Sequence, residues 1–368
     1  MTLEEYHRLT PLPHPRGVVY VKPGARGYPD PVYDLLARTV EPFGERALDL
    51  NPGVGWASLP LEGRMEVDRL ETSKAALLAL ERSGLKARRA LPWEAEEGAY
   101  DLALLVLPAG RGSRYTQLAL LGAARALRPG GRLYLAGDKN KGFERYFKEA
   151  KALLGYGLVL KREGAARVAL LEKEREAPPL PEVWSSFTEE VYGRTFRFFH
   201  LPGVFSAGRL DPASRLLLEA LEEVEEIRGL EVLDLGAGYG GLTLPLAHRG
   251  ARVSAVEDDW ASVLSLRRSL EENNLQAEVY HSDVDEALPE EARYTIVVTN
   301  PPFHVGGSFI LDVAQAFVHA AYARLRPGGR FYLVANPFLK YEPLVEALFG
   351  QCETLRLEAY KVLFAVRR

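Results

Sequence analysis

Apolar and polar positions along this chain fall into the same order twice. In the second half, short β-rich runs at residues 231–235, 252–257, 277–283, 295–300 and 330–336 alternate with stretches of helical periodicity. One helix is predicted to start at Asp211-Pro212, aspartate as N-cap and proline in the first turn, and to run through Leu216, Leu217, Leu221 and Val224. Another covers 260–273 with Asp259 as its cap. The chain closes with strand-like runs at 353–360 and 361–368, which must pair antiparallel because a parallel return needs a crossover. The first half repeats this order, with strands at 46–50, 64–68, 101–107, 132–137, 157–161 and 167–172. Each half thus predicts an α/β domain, a mostly parallel doubly wound sheet ending in an antiparallel hairpin. Residues 172–181 are charged, then proline-rich and aperiodic, and read as the linker between domains at 1–178 and 187–368.

The duplication extends to shared words. Leu48-Asp49-Leu50-Asn51-Pro52-Gly53-Val54-Gly55 answers to Leu233-Asp234-Leu235-Gly236-Ala237-Gly238-Tyr239-Gly240, and Arg-Pro-Gly-Gly-Arg occurs at 128–132 and again at 326–330. Where the second copy has Asn300-Pro301-Pro302-Phe303, the first has Leu105-Val106-Leu107-Pro108 and no amide. One copy is read as working and the other as retired.

A chain of 368 residues with 47% hydrophobic and 26% charged positions suits two soluble domains. No apolar run reaches the roughly 18 residues of a membrane span, and the N-terminus does not read as a signal peptide. Cys352, the single cysteine, excludes an internal disulfide and points to a reducing cytoplasm. Only six Asn and four Gln, two Met, and 11 Lys among 46 basic residues suggest a hot-growing host. Residues 1–186 hold 28 basic against 24 acidic side chains, and 187–368 hold 18 against 26. A phosphate-binding surface is therefore expected in the first half, unless its surplus is simply a solvated surface.

Asp234, Gly236, Gly238 and Gly240 follow a strand and open a helix, where glycines admit a ligand close to the backbone and free N–H groups await an anion. Gly236, Gly238 and Gly241 also satisfy the dinucleotide spacing, with Glu257 placed for a ribose hydroxyl. The same residues fit the S-adenosylmethionine loop of class I methyltransferases, with Glu257 at the ribose and Asp283 at the adenine amine. The loop alone leaves both ligands open, and so does a bare βα turn.

Asn300-Pro301-Pro302-Phe303 ends the fourth strand at the carboxyl edge, where α/β folds place ligands. An exocyclic amine is a poor nucleophile because its lone pair is delocalised into the ring. The Asn300 oxygen and the Pro301 carbonyl could accept both amine hydrogens and favour a pyramidal nitrogen. Consecutive prolines stiffen the loop and remove two donors, and Phe303 offers a face for a flipped base. Positioning and electrostatics would carry such a displacement, and no metal is expected.

Together these motifs resemble the class I N-methyltransferases that act on exocyclic or amide nitrogens. With the degenerate first copy and the runs Leu201-Pro202-Gly203-Val204-Phe205-Ser206 and Leu210-Asp211-Pro212-Ala213-Ser214-Arg215, the chain resembles RsmC-type 16S rRNA (guanine-N2)-methyltransferases. The resemblance implies two tandem class I methyltransferase (Rossmann-like) domains and S-adenosylmethionine as cofactor. It implies 16S rRNA or the small ribosomal subunit as partner and a monomeric protein. Asp234, Gly236, Gly238, Gly240, Glu257, Asp258, Asp283, Asn300, Phe205 and Ser206 would bind the cofactor, with residues 203–206 as a lid-like approach. Asn300, Pro301, Pro302 and Phe303 would be catalytic, Phe303 also binding substrate, and His304 would touch the base or cap the loop.

The same chemistry on large-subunit rRNA, DNA adenine or a protein glutamine remains an alternative. A nicotinamide dehydrogenase leaves Asn-Pro-Pro-Phe and the hairpin unexplained, and a non-enzymatic RNA-binding protein leaves the second site unexplained. Asn51-Pro52 in place of Gly236-Ala237 should bar a cofactor from the first copy, with Asp68 a relic. That copy is expected to dock RNA or to serve only in packing. Lys139-Asn140-Lys141-Gly142-Phe143-Glu144-Arg145-Tyr146-Phe147-Lys148, with Lys86, Arg88, Arg89, Arg111 and Arg114, mixes charge and aromatics as single-stranded RNA requires.

Overall fold

The computed structural model describes residues 1–23, 28–206, 208–301 and 308–368, with backbone only for 308–312. The chain divides into two compact units, one of Leu9–Val183 and one of Met1–Arg8 with Trp184–Arg368. Residues 1–8, placed above with the first copy, therefore belong to the second unit. Their helix α1 (Leu3–His7) is fixed locally by a Thr2–Glu5 capping box, the Glu5 N–H donating to Thr2 Oγ1 at 3.1 Å. It buries Tyr6 in the second unit's core beside Val284 and Phe317. A five-residue helix carries too little periodicity to show where it docks.

The unit Leu9–Val183 begins with a hairpin, β1 (Thr10–His14) and β2 (Gly17–Val21), then α2 (Pro31–Ala37). Its sheet is built from β3 (Arg46–Asp49), β4 (Glu66–Glu71), α3 (Lys74–Arg82), β5 (Arg88–Arg89), β6 (Tyr100–Val106), α4 (Ser113–Ala126), β7 (Leu127–Asp138), α5 (Phe143–Leu154), β8 (Gly155–Glu163) and β9 (Ala166–Lys173). The strand order is β5-β4-β3-β6-β7-β9-β8, parallel except for β9, which runs antiparallel to both neighbours.

The second unit opens with a hairpin of its own, β10 (Ser185–Val191) and β11 (Arg194–His200), then α6 (Pro212–Val224). There follow β12 (Glu231–Leu235), α7 (Thr243–His248), β13 (Arg252–Glu257), α8 (Trp260–Glu272), β14 (Glu278–His281), β15 (Tyr294–Thr299), α9 (Ser308–Arg324), β16 (Leu325–Ala335), α10 (Glu342–Phe349), β17 (Glu353–Leu357) and β18 (Lys361–Val366). The order β14-β13-β12-β15-β16-β18-β17 repeats the first sheet, with β18 antiparallel to β16 and β17. Val232 and Leu233 of β12 and Ile296, Val297 and Val298 of β15 are buried, as strands covered on both faces require.

From β12 the chain winds outward to β13 and β14, then returns to β15 on the other side. The carboxyl ends of β12 and β15 therefore flank the topological switch point, where open α/β sheets bind ligands. Leu235 pairs with Thr299, so Gly236 and Asn300 leave the sheet side by side. The Thr299 hydroxyl ties the two strand ends by donating to the Leu235 carbonyl at 2.8 Å.

Several elements differ from the sequence expectation. β4 spans Glu66–Glu71, so Glu71 rather than Asp68 stands at its carboxyl end. Arg69 hides this strand in the sequence; it is buried through bonds from Nε to Ser58 Oγ at 2.9 Å and from Nη2 to Glu62 Oε1 at 2.6 Å. β5 is a two-residue strand of exposed arginines, and the hairpins β1–β2 and β10–β11 that precede each sheet lie outside the strand pattern read from the sequence. In α5, Phe143 and Tyr146 are buried and Phe147 packs on the same core, so these aromatics are not displayed for stacking on RNA bases. Among the described residues no helix is long and apolar enough to cross a membrane.

Candidate active site

The glycine turn is held from beneath and from one side. Asp234, fully buried, accepts from the Thr243 hydroxyl at 2.6 Å, and its Oδ1 has no partner among the described residues. The Thr243 bond ties the strand end to the start of α7. Gly236, with φ +77°, cannot carry a side chain, since a Cβ would sit 3.0 Å from the Phe317 ring. Gly238, with φ +57°, has no described atom within 4 Å of its Cβ position, so this side of the turn is open. The Gly238 N–H donates to Glu257 Oε2 at 2.8 Å, and the Asp259 N–H donates to Oε1 at 2.9 Å.

Glu257 and Asp283 are brought together by the backbone, the Ser282 N–H donating to the Glu257 carbonyl at 2.9 Å. Desolvation pushes the Glu257 carboxyl up to about 7, with Asp259 and Asp258 adding repulsion against its backbone bonds. Asp283 is buried and accepts from Tyr6 Oη at 3.1 Å. Val284, the next residue, has φ +56°, a strained conformation for a β-branched side chain and one that gathers at ligand clamps. The Asp258 carbonyl bonds His281 Nε2 at 2.6 Å, and the ring of Trp260 lies 5.4 Å from that of His281. Trp260, read above only as a helix start, thus packs against His281, the strand partner of Glu257.

Asn300 is held by α6. Its Nδ2 donates to Asp211 Oδ2 at 2.8 Å and to Ser214 Oγ at 3.1 Å. A carboxylate only accepts hydrogen bonds, so the end of the amide facing Asp211 is its NH2 and the other end is its carbonyl. That carbonyl, Oδ1, is buried and has no partner among the described residues. Such an oxygen costs about 1–3 kcal/mol until a donor arrives. Asp211 also caps α6 by accepting the Ser214 N–H at 3.1 Å, so one carboxylate both starts the helix and orients the amide. The sequence marked Asp211 as a cap, but nothing local revealed its partner 89 residues away.

Pro301 is buried, whereas Pro302, Phe303 and His304 lie outside the described residues. Phe205 is half exposed and Ser206 has φ +52°. Tyr239 of the glycine turn anchors the segment after them, donating to the Arg209 carbonyl at 3.1 Å and accepting the Asp211 N–H at 3.3 Å.

The first copy has the same frame with its opening closed. Glu71 Oε2 accepts the Gly53 N–H at 3.1 Å, as Glu257 does for Gly238. Asn51, at the place of Gly236, donates from Nδ2 to the Val106 carbonyl at 2.9 Å, and Val106 stands where Asn300 does. Tyr33, at the place of Ser214, donates to the Asn51 carbonyl at 3.0 Å. Its hydroxyl also lies 3.6 Å from the Cβ position of Gly53, covering the face that is open at Gly238.

Desolvation pushes the Asp234 carboxyl up to about 7, against the opposing Thr243 hydroxyl and backbone bonds. A carboxyl whose folded value lies above its unfolded one favours folding while protonated. This contribution is present in full below about 4 and is lost as pH rises through about 7. Asp234→Asn keeps an acceptor for Thr243 and removes the charge. The variant should therefore gain on the parent in denaturant-measured stability between about pH 5 and 8. A pH-independent difference would refute the desolvated carboxyl.

The methyltransferase small domain family matches residues 195–364. A ribosomal RNA small subunit methyltransferase C from Stutzerimonas stutzeri is 36% identical over 74% of this chain and 80% of its own length. Its counterpart from Pseudomonas putida KT2440 is 32% identical over 88% and 95%. Among solved structures, the T. thermophilus 16S rRNA N2 G1207 methyltransferase (RsmC), in complex with AdoMet and guanosine, is 71% identical over the whole of both chains, with a TM-score of 0.97. This chain belongs to the ribosomal RNA small subunit methyltransferase C family and is an S-adenosylmethionine-dependent rRNA methyltransferase.

Proposed function

We propose that the enzyme methylates the N2 amine of the 16S rRNA guanine corresponding to G1207 of its T. thermophilus relative, acting as a cytoplasmic monomer. The observation that carries this reading is the buried, unpartnered oxygen of Asn300, on the strand end beside the glycine turn. The donor set suits the cofactor: Glu257 for the ribose, Asp283 for the adenine amine, and the glycine turn passing close to both. S-adenosylmethionine supplies a methyl group on a sulfonium, which leaves as a neutral thioether when the guanine nitrogen attacks.

Asn300 Oδ1 accepts one amine hydrogen and the Pro301 carbonyl the other, so the nitrogen is favoured in a pyramidal form whose lone pair is withdrawn from the ring and free to attack the methyl group. An amide is too weak a base to keep the proton, and its role is orientation. Asp211 and Ser214 make that orientation permanent before substrate arrives, so no rearrangement cost falls on the reaction step. In the first copy Asp30 keeps the place of Asp211, but Val106 and Tyr33 stand for Asn300 and Ser214, and that unit works through packing or RNA docking rather than catalysis. With Phe143, Tyr146 and Phe147 in the core, any docking relies on Lys139, Lys141 and Lys148, which are exposed, rather than on base stacking.

Asn300→Ala should keep S-adenosylmethionine binding and lose methyl transfer on the order of a hundredfold or more. Asp211→Asn should lower turnover in the same direction, since its amide can place a donor against the Asn300 NH2. Mass mapping of 16S rRNA from cells with and without the enzyme reads both the target and the loss. Unchanged turnover in Asn300→Ala, or a methyl group on a different nucleotide, would overturn the assignment.

Cofactor titration of the native protein should saturate at one molecule per chain. Asn51→Gly should leave that stoichiometry unchanged, because Tyr33 and Val106 remain. A native stoichiometry of two would refute the retired copy.

A further inference from the structure

We propose that Tyr6, carried on the N-terminal helix, is a positioning residue for the cofactor and acts by fixing the carboxylate of Asp283. Its hydroxyl donates to Asp283 Oδ1 at 3.1 Å across 277 residues of sequence, and Tyr6 is 4% exposed and Asp283 2%. A carboxylate so withdrawn from water needs donors, and a phenol bonded to it is charge-assisted. The turn bearing Asp283 is strained at Val284, so it relies on its surroundings to keep its shape.

Those surroundings are largely the helix α1. Tyr6 and Val284 share one buried cluster, onto which Met1 and Leu3 also pack. His7 Nε2 meets Asp285 Oδ1 at 3.1 Å, while Arg324 Nε on α9 donates to Asp285 Oδ2 at 2.7 Å. The segment 283–285 is thus gripped from both sides, by α1 and by α9. Tyr6 donates to the carboxylate assigned above to the adenine amine, while His7 Nδ1 lies 3.7 Å from its other oxygen, and the inference rests on that assignment. A cofactor subsite would then depend on residues that the chain lays down before it enters the first copy.

The test is Tyr6→Phe in the full-length protein, which keeps the buried ring and removes only the donor. The KM for S-adenosylmethionine and the Kd for S-adenosylhomocysteine should rise on the order of tenfold. The kcat and the KM for rRNA should stay within about twofold, a split that loss of general stability would not produce. Asp283→Asn and Asp283→Ala supply the second arm, two variants in case one fails to fold. In either background, adding Tyr6→Phe should weaken S-adenosylhomocysteine binding no further. If the Asp283 variants weaken binding and Tyr6→Phe leaves KM and Kd unchanged, the positioning role is refuted and the Asp283 assignment stands. If the Asp283 variants bind S-adenosylhomocysteine as the parent does, the assignment fails and the role of Tyr6 falls with it.

Discussion

The bond from the Asn300 NH2 to the Asp211 carboxylate is the constraint on which the site depends. A carboxamide has two ends of nearly equal size, and on sterics alone it can sit either way round. Asp211 removes that freedom because it cannot donate, and Ser214 adds a second acceptor one helical turn along. The amide oxygen is left pointing away from every described partner, at a cost of about 1–3 kcal/mol carried by the rest of the fold. Helix capping, ordinarily a matter of local stability, here sets the polarity of a group at the end of a neighbouring strand.

The first copy acts as an internal control on this argument. It has the same strand order, the same Asp-Pro helix start at Asp30-Pro31, and the same carboxylate grip on the glycine turn through Glu71. At the opening three residues have changed: Tyr33 for Ser214, Val106 for Asn300, Asn51 for Gly236. The new residues bond to one another and close the face of the turn. The sheet therefore does not need the site in order to fold. The converse does not hold, because the Asn300 polarity is created by α6 and the register of β12 against β15.

Much of this was legible in the sequence, and the parts that were not share a physical cause. β12 and β13 were read with their observed bounds because each is a compact run entered and left through polar or glycine residues. The glycine turn and Asn300 were legible because their residue types are costly anywhere else. Glu71 was missed because the fully buried Arg69 made an interior strand look polar. The aromatics of α5 were read as a surface because periodicity shows that residues share a face but not which way the face turns. Asp211–Asn300 and Tyr6–Asp283 span 89 and 277 residues, and no local pattern encodes a contact made only when distant elements pack.

The division of the chain changes what counts as the catalytic domain. A boundary at the charged, proline-rich linker is natural on composition, yet Met1–Arg8 belongs with Trp184–Arg368. The second unit is thus discontinuous, and its core cluster closes only when Tyr6 arrives from the far end of the sequence. Duplication followed by simple decay would leave two self-contained copies in series. Here the chain begins in the catalytic unit, leaves it at Leu9 for the first copy and returns at Trp184. Even with its own site closed, the first copy stands in the sequence between two parts of one catalytic unit.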